Sequence, residues 1–148
     1  KHMEHFKYDP TVWGPQYWFM IHTIGFTYPL MPTTGHKKKY YNFFTSLPLF
    51  IPNKVIASRF EVLLDENPIS PYLTSRESLL KWIHFIHNKI NIALGHPEVT
   101  MDEAMSAYYQ HYKPKEVVSN EYRIRREKVA FGCFIVALLI CSGFLYSK

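Results

Sequence analysis

The sequence predicts an all-α protein, a four-helix bundle with a short fifth helix and a C-terminal transmembrane helix. Apolar residues recur at helical spacing through most of residues 9–112, and signals for strands are nearly absent. Residues 129–146 form an uncharged and almost wholly apolar run. A chain of 148 residues with 47% hydrophobic content can bury one core, so we expect a single compact domain before that run.

The first three helices follow from apolar spacing and from prolines. One face of the first helix carries Trp18, Ile21, His22, Gly25 and Phe26, four of them apolar. Pro29 and Pro32 end this helix. A second helix is predicted over residues 38–47. The third begins after Pro52 and runs to the turn NPISP at residues 67–71.

The fourth predicted helix is the best marked, because TSRE at residues 74–77 has the pattern of a capping box. Its apolar face consists of Leu79, Trp82, Ile83, Ile86, Ile90 and Leu94. Gly95 and Pro97 end it. The segment MDEAMSAYYQ, residues 101–110, predicts a short fifth helix.

These patterns divide the chain into four parts: an N-terminal tail over residues 1–8, a helical domain over 9–112, a basic linker over 113–128 and a transmembrane anchor over 129–146. Eighteen helical residues extend roughly 27 Å, about the thickness of the hydrocarbon core of a bilayer. The basic residues before the run favour a single-pass anchor with the domain facing the cytosol.

Charge and cysteine content argue against a nucleic-acid partner and against an intrachain disulfide. The net charge is +5, but the basic residues are scattered apart from residues 37–39 and 123–128, so we expect no nucleic-acid partner. Cys133 and Cys141 are the only cysteines. On one helix they would lie about 12 Å apart, which excludes a disulfide between them.

Helix four carries a polar stripe beside its apolar face, formed by His84, His87, Asn88 and Asn91. His22 of helix one is expected to face it. The residues alone leave three interpretations open: core-edge side chains that bond one another, a metal or haem held by histidines, or a planar cofactor bonded by His and Asn. No carboxylate or cysteine lies on the stripe, so we expect no metal.

Two motifs resemble the Erv/ALR family of FAD-linked sulfhydryl oxidases, which are small helical bundles. WGPQYWFMIHT at residues 13–23 is similar to the family's W-G-x-x-x-W-x-x-x-H-T. WIHFIHNKINIALGHP at residues 82–97 is similar to W-x-x-x-x-H-N-x-V-N-x-x-L-G-K-P, with Ile90 for valine and His96 for lysine. The resemblance covers about residues 13–108.

The resemblance implies FAD as the cofactor, with its absence as the alternative. The cofactor-binding residues it implies are Gly14, Trp18, His22, Trp82, His84, His87, Asn88, Ile90, Asn91, His96 and Tyr108.

The family's redox-active P-C-x-x-C pair is missing. The resemblance aligns those two cysteines with Asn53 and Ile56, and it aligns a structural disulfide with His84 and Met101. Thiol–disulfide exchange needs a thiolate that attacks a sulfur, which neither an amide nor an alkyl group provides. We therefore assign no catalytic residue in this domain.

The resemblance and the missing cysteines predict a redox-inactive homologue with a structural or adaptor role. Relatives in large DNA viruses suggest a capsid-membrane linker in the inner membrane of a virion, with viral capsid or membrane proteins as partners. Members of the family often dimerise through their first helices, so the resemblance suggests a homodimer. The alternative function is an FAD-binding oxidoreductase with residual or altered thiol oxidase activity, so the sequence leaves open whether the protein is an enzyme.

Overall fold

A computed structural model describes the backbone of residues 8–146 and the side chains of residues 8–142. It contains six α-helices: α1 (Pro10–Phe26), α2 (Thr34–Ser46), α3 (Lys54–Glu66), α4 (Arg76–Ala93), α5 (Met101–Gln110) and α6 (Lys115–Tyr146). Short 3-10 helices cover Leu47–Phe50 and Ser70–Tyr72, and this described part of the chain contains no strand. The chain forms two compact units, one ending at Tyr108 and the other beginning at Tyr109.

The core of the first unit lies where α1 crosses α4. Gly25 allows the close approach, because a Cβ atom at this position would lie 2.6 Å from Cδ1 of Ile83. The buried cluster around this crossing contains Ile21, Tyr28, Phe44, Leu47, Phe60, Leu64, Ile69, Leu73, Leu79, Trp82, Ile83 and Ile86. Five elements of the unit are thereby tied together by one apolar core.

The starts of α2 and α4 differ from the predicted starts because other residues cap these helices. Helix α2 begins at Thr34, not at residue 38, because Thr33 and His36 form a capping box. The cap of α4 is Ser75, which accepts from the backbone N–H of Ser78, so the capping box predicted at Thr74 is wrong. The shift in α4 arises because Thr74 and Ser75, at adjacent positions, offer equivalent cap oxygens.

The C-terminus of α4 ends at the predicted glycine. Gly95 has a φ of 77°, which favours glycine, and follows the cap residue Leu94. The N–H of His96 donates to the carbonyl of Asn91 over 2.8 Å, and the N–H of Gly95 donates to that of Ile92 over 3.0 Å. This pair of bonds is a Schellman motif, which stops the helix and turns the chain toward α5.

The prediction of a C-terminal transmembrane helix is wrong. Among the residues that the structure describes, no helix is long and apolar enough to cross a membrane. Helix α6 carries the basic segment and the apolar run on one continuous helix. The side chains of residues 143–146, the end of the predicted span, lie outside the described residues.

The second unit consists of the end of α5 and the whole of α6. Its two cysteines, Cys133 and Cys141, are both free thiols and exposed. The predicted boundaries after residues 112 and 128 stay predictions.

Candidate functional site

Two histidines and a tryptophan join α1 to α4. Nε2 of His22 lies 3.2 Å from Nδ1 of His87, so one ring nitrogen donates and the other accepts. The indole of Trp18 stacks on the His87 imidazole, with ring centroids 3.9 Å apart and planes 9° from parallel. These contacts bring three predicted site residues, Trp18, His22 and His87, to one place.

Burial keeps this histidine pair uncharged. It lowers the pKa of His22 to about 4, and the electrostatic interaction with His84 adds to that effect. It lowers the pKa of His87 also to about 4, with smaller contributions from His22 and His84. At neutral pH both rings are therefore neutral, so one ring can donate the shared hydrogen bond and the other can accept it.

Asn88 fastens the segment after α4 to the helix. Its Nδ2 donates to the carbonyl of Val99 over 2.9 Å, and its Oδ1 accepts from the N–H of Val99 over 3.1 Å. The Nδ2 atom also lies 3.3 Å from Nε2 of His84. Both hydrogen-bonding groups of this buried amide are thus used within the protein.

His84 retains one buried group for which the described residues provide no hydrogen-bond partner, the Nδ1 atom. Such an atom is uncommon in folded proteins and often marks a water or ligand that completes the site. Among the described residues, no cluster of three or more His, Cys, Asp and Glu side chains could hold a metal ion. His22, His84 and His87 therefore do not form a candidate metal centre.

An apolar cavity of about 350 Å³ opens between α1, α3 and α4. Three of its lining residues, Gly14, Trp18 and Ile90, were predicted to bind a cofactor. A Cβ atom at Gly14 would meet nothing within 4 Å, so this wall has free space beside it. Ile56, which the resemblance places at a redox cysteine, also lines the cavity.

Sequence reasoning missed several lining residues. Trp13 and Tyr17 lie one helical turn apart on α1, and Phe60 and Leu63 come from α3. The spacing of Trp13 and Tyr17 beside Gly14 and Trp18 was the available signal for a second apolar face of α1. Arg59 and Lys89 bring two positive charges to the lining, which no apolar pattern could reveal.

Asn53 performs a structural role at the start of α3. Its Oδ1 accepts from the backbone N–H of Val55 over 3.0 Å and of Ile56 over 3.2 Å, so it caps the helix. Its Oδ1 is therefore engaged by the backbone of its own helix.

The remaining predicted site residues, Tyr108, Trp82, His96 and Asn91, do not line the cavity. Tyr108 is buried, and its hydroxyl lies 2.9 Å from Oγ1 of Thr23. Trp82 is also buried, but its Nε1 donates to the carbonyl of Asn67, and it does not line the cavity. His96 is exposed, and Nδ2 of Asn91 lies 3.5 Å from Oδ1 of Asn88.

These features define a small all-α domain with an apolar cavity between three of its helices. The chain belongs to the Erv1 / Alr family, whose model matches residues 15–121.

The relatives agree with this membership. The chain is 33% identical over 109 residues to a probable FAD-linked sulfhydryl oxidase of Acanthamoeba polyphaga mimivirus. This alignment covers 73% of this chain and 76% of that protein. It is 33% identical over 88 residues to the mitochondrial FAD-linked sulfhydryl oxidase ERV1 of Saccharomyces cerevisiae, covering 57% of this chain and 44% of that protein. The crystal structure of the FAD binding domain of Erv1 from Saccharomyces cerevisiae matches with a TM-score of 0.60 and 27% identity, over 74% of this chain and 96% of that domain.

The residues present are compatible with a flavin. A cavity of about 350 Å³ lies within the usual range of about 300–1,000 Å³ for cofactor sites. Apolar walls and the Trp18 ring suit the planar ring system of a flavin. Residues lining the cavity, Gly14, Trp18 and Ile90 among them, would hold the ring, and a bound flavin would supply electron-accepting chemistry there.

Proposed function

We propose that this protein is an FAD-binding member of its family that has lost the cysteine pair of the sulfhydryl oxidases and serves a structural or adaptor role. The proposal rests above all on the positions of Asn53 and Ile56. Asn53 caps α3, and Ile56 forms part of the cavity wall. Neither side chain can form the mixed disulfide through which a substrate thiol delivers electrons.

The cysteine content supports the same conclusion. Both cysteines of the chain, Cys133 and Cys141, belong to the second unit, and the part of the chain that contains the cavity has none. Thiol oxidation by the first unit would need a cysteine thiolate beside the ring, and the first unit contains no cysteine.

A spectrum and an oxygen-consumption assay test the proposal. We expect purified protein to show a flavin band near about 450 nm and to oxidise dithiothreitol no faster than the same concentration of free flavin. Turnover well above free flavin would contradict the structural role and favour the alternative, an oxidoreductase with residual or altered thiol oxidase activity. Absence of the band after reconstitution with FAD would contradict the cofactor.

Restoring the pair gives a second test. The double variant Asn53→Cys/Ile56→Cys should gain thiol oxidation in the flavin-loaded protein. A matched control, Lys54→Cys/Ala57→Cys, has the same spacing one residue further along α3 and should gain none. Equal activity in both variants would show that the cavity does not orient a flavin toward the start of α3.

We further propose a homodimer, as the family resemblance suggests. Gel filtration with multi-angle light scattering should return twice the mass of the chain, and a monomer would contradict this. The role of capsid-membrane linker, expected from the sequence, depended on a membrane-spanning segment. Because no described helix could span a membrane, we do not propose that role.

A further inference from the structure

A second cleft lies between α2 and α3, separate in its lining residues from the apolar cavity. We name it the acidic cleft. Its floor is formed by the buried side chains of Phe44, Leu64, Ile69 and Trp82, and its rim by exposed residues that include Tyr41, Glu61 and Asp65. Phe44 and Trp82 meet edge to face with ring centroids 5.4 Å apart, so aromatic rings form half of the floor.

The two carboxylates of the rim are not neutralised within the described residues. Glu61 and Asp65 are four apart on α3 and therefore lie on the same face of that helix. The described residues give neither of them an ion pair or a side-chain hydrogen bond. In a chain of net charge +5, two unpaired acids beside an apolar cleft are complementary to a positively charged occupant.

The volume of the cleft limits the size of the group that it can bind. Its volume of about 160 Å³ is about half the lower limit for a cofactor or drug-sized ligand, and about the volume of one long side chain. An arginine side chain combines the three matching features: an apolar stem for the floor, a planar guanidinium that stacks on aromatic rings such as Tyr41, and donors for two carboxylates.

We propose that the acidic cleft binds an arginine side chain of a partner polypeptide, as an anchor residue of a protein interface. The proposal is independent of flavin binding, because Asn53 and Ile56 do not line this cleft.

The test uses the full chain labelled with ¹⁵N and N-acetyl-arginine amide as the probe. The Trp82 indole N–H and the amides of residues 41–45 and 61–69 should shift in a saturable manner. N-acetyl-citrulline amide has the same shape without the charge, and we expect at least about fivefold weaker binding from it. The lysine analogue should also bind more weakly, and higher salt should weaken the arginine response.

Variants distinguish binding by the two carboxylates of the cleft from nonspecific attraction to the acidic residues of the surface. Glu61→Gln/Asp65→Asn should weaken arginine binding by about fivefold or more, whereas Glu98→Gln, an exposed acid outside the cleft, should leave it unchanged. The proposal is overturned if citrulline binds as well as arginine, if the double variant retains binding, or if the cleft resonances do not move. Stronger binding of spermidine than of the arginine probe would also overturn it, because the cleft would then serve a free polyamine. Dispersed spectra of both variants would show that they fold.

Discussion

The imidazoles of His22 and His87 share one hydrogen bond across the interface of α1 and α4, with Nε2 and Nδ1 3.2 Å apart. The bond needs one ring to accept, so it survives only while at least one of the two rings is neutral. Trp18 covers one face of His87, which limits the access of water to that ring. The pair therefore makes the packing of the two helices sensitive to acid.

We predict that the flavin-free protein loses stability between pH 6.5 and pH 4. Both histidines have a folded pKa of about 4 against an ordinary value of 6.5, so the unfolded chain binds more protons in this interval. Stability contributed by the neutral pair is complete above pH 6.5 and falls as the pH decreases toward 4. The loss should be on the order of 3 kcal/mol for each histidine, measured by urea unfolding at each pH.

The control for this pH dependence is His96→Gln, since His96 is exposed and outside the pair. It should retain the acid-dependent loss, whereas His22→Gln/His87→Gln should remove most of it. A pH profile that is the same in the double variant and the parent protein would show that other groups cause the loss.

Gly25→Ala should destabilise the domain by about 1–2 kcal/mol, because the new methyl group would overlap Cδ1 of the fully buried Ile83. Gly35→Ala on α2 is the matched control. Its Cβ would lie 3.7 Å from Oγ1 of Thr33, an ordinary contact, so the gain in helix propensity should leave stability equal or up to about 1 kcal/mol higher. Thermal unfolding measures both, and equal effects would argue against close packing of α1 on α4.

Asn88→Ala should lower the free energy of unfolding by about 2 kcal/mol, because it leaves the N–H and carbonyl of Val99 without their partner. It should also speed proteolytic cleavage within residues 95–100, which the amide holds against α4. Asn42→Ala, at an exposed position of α2, should change neither quantity. Unchanged proteolysis in Asn88→Ala would show that the segment is held by other contacts.

Filling the cavity should prevent flavin binding. Ile56→Trp adds a large side chain to the cavity wall, whereas Val55→Trp changes an exposed neighbour that does not line the cavity. We expect the first variant to lose at least about tenfold in affinity for FAD and the second to remain near the parent value. Flavin fluorescence titration measures both. Normal affinity in Ile56→Trp would place the cofactor elsewhere.

Local sequence patterns located the first unit's helices well. Gly95 lies at the end of α4, and prolines follow α1. Such signals act on the backbone of neighbouring residues, so a short segment of the sequence contains them. The start of α4 moved by one residue, to Ser75, since Thr74 and Ser75 are equivalent as cap residues in isolation. The motifs were also sufficient for family membership, which the match over residues 15–121 confirms.

The sequence by itself determined the helical periodicity, the family motifs and the absence of cysteine from the first unit, because each is a property of residues close together in the chain. Only the tertiary structure decided that His87 meets His22 and Trp18 while Asn88, the next residue, turns to Val99. It also placed Trp82 in the core and away from the cavity. The reason is physical: spacing along a helix specifies which residues share a face, but the partner of that face depends on how separate helices pack.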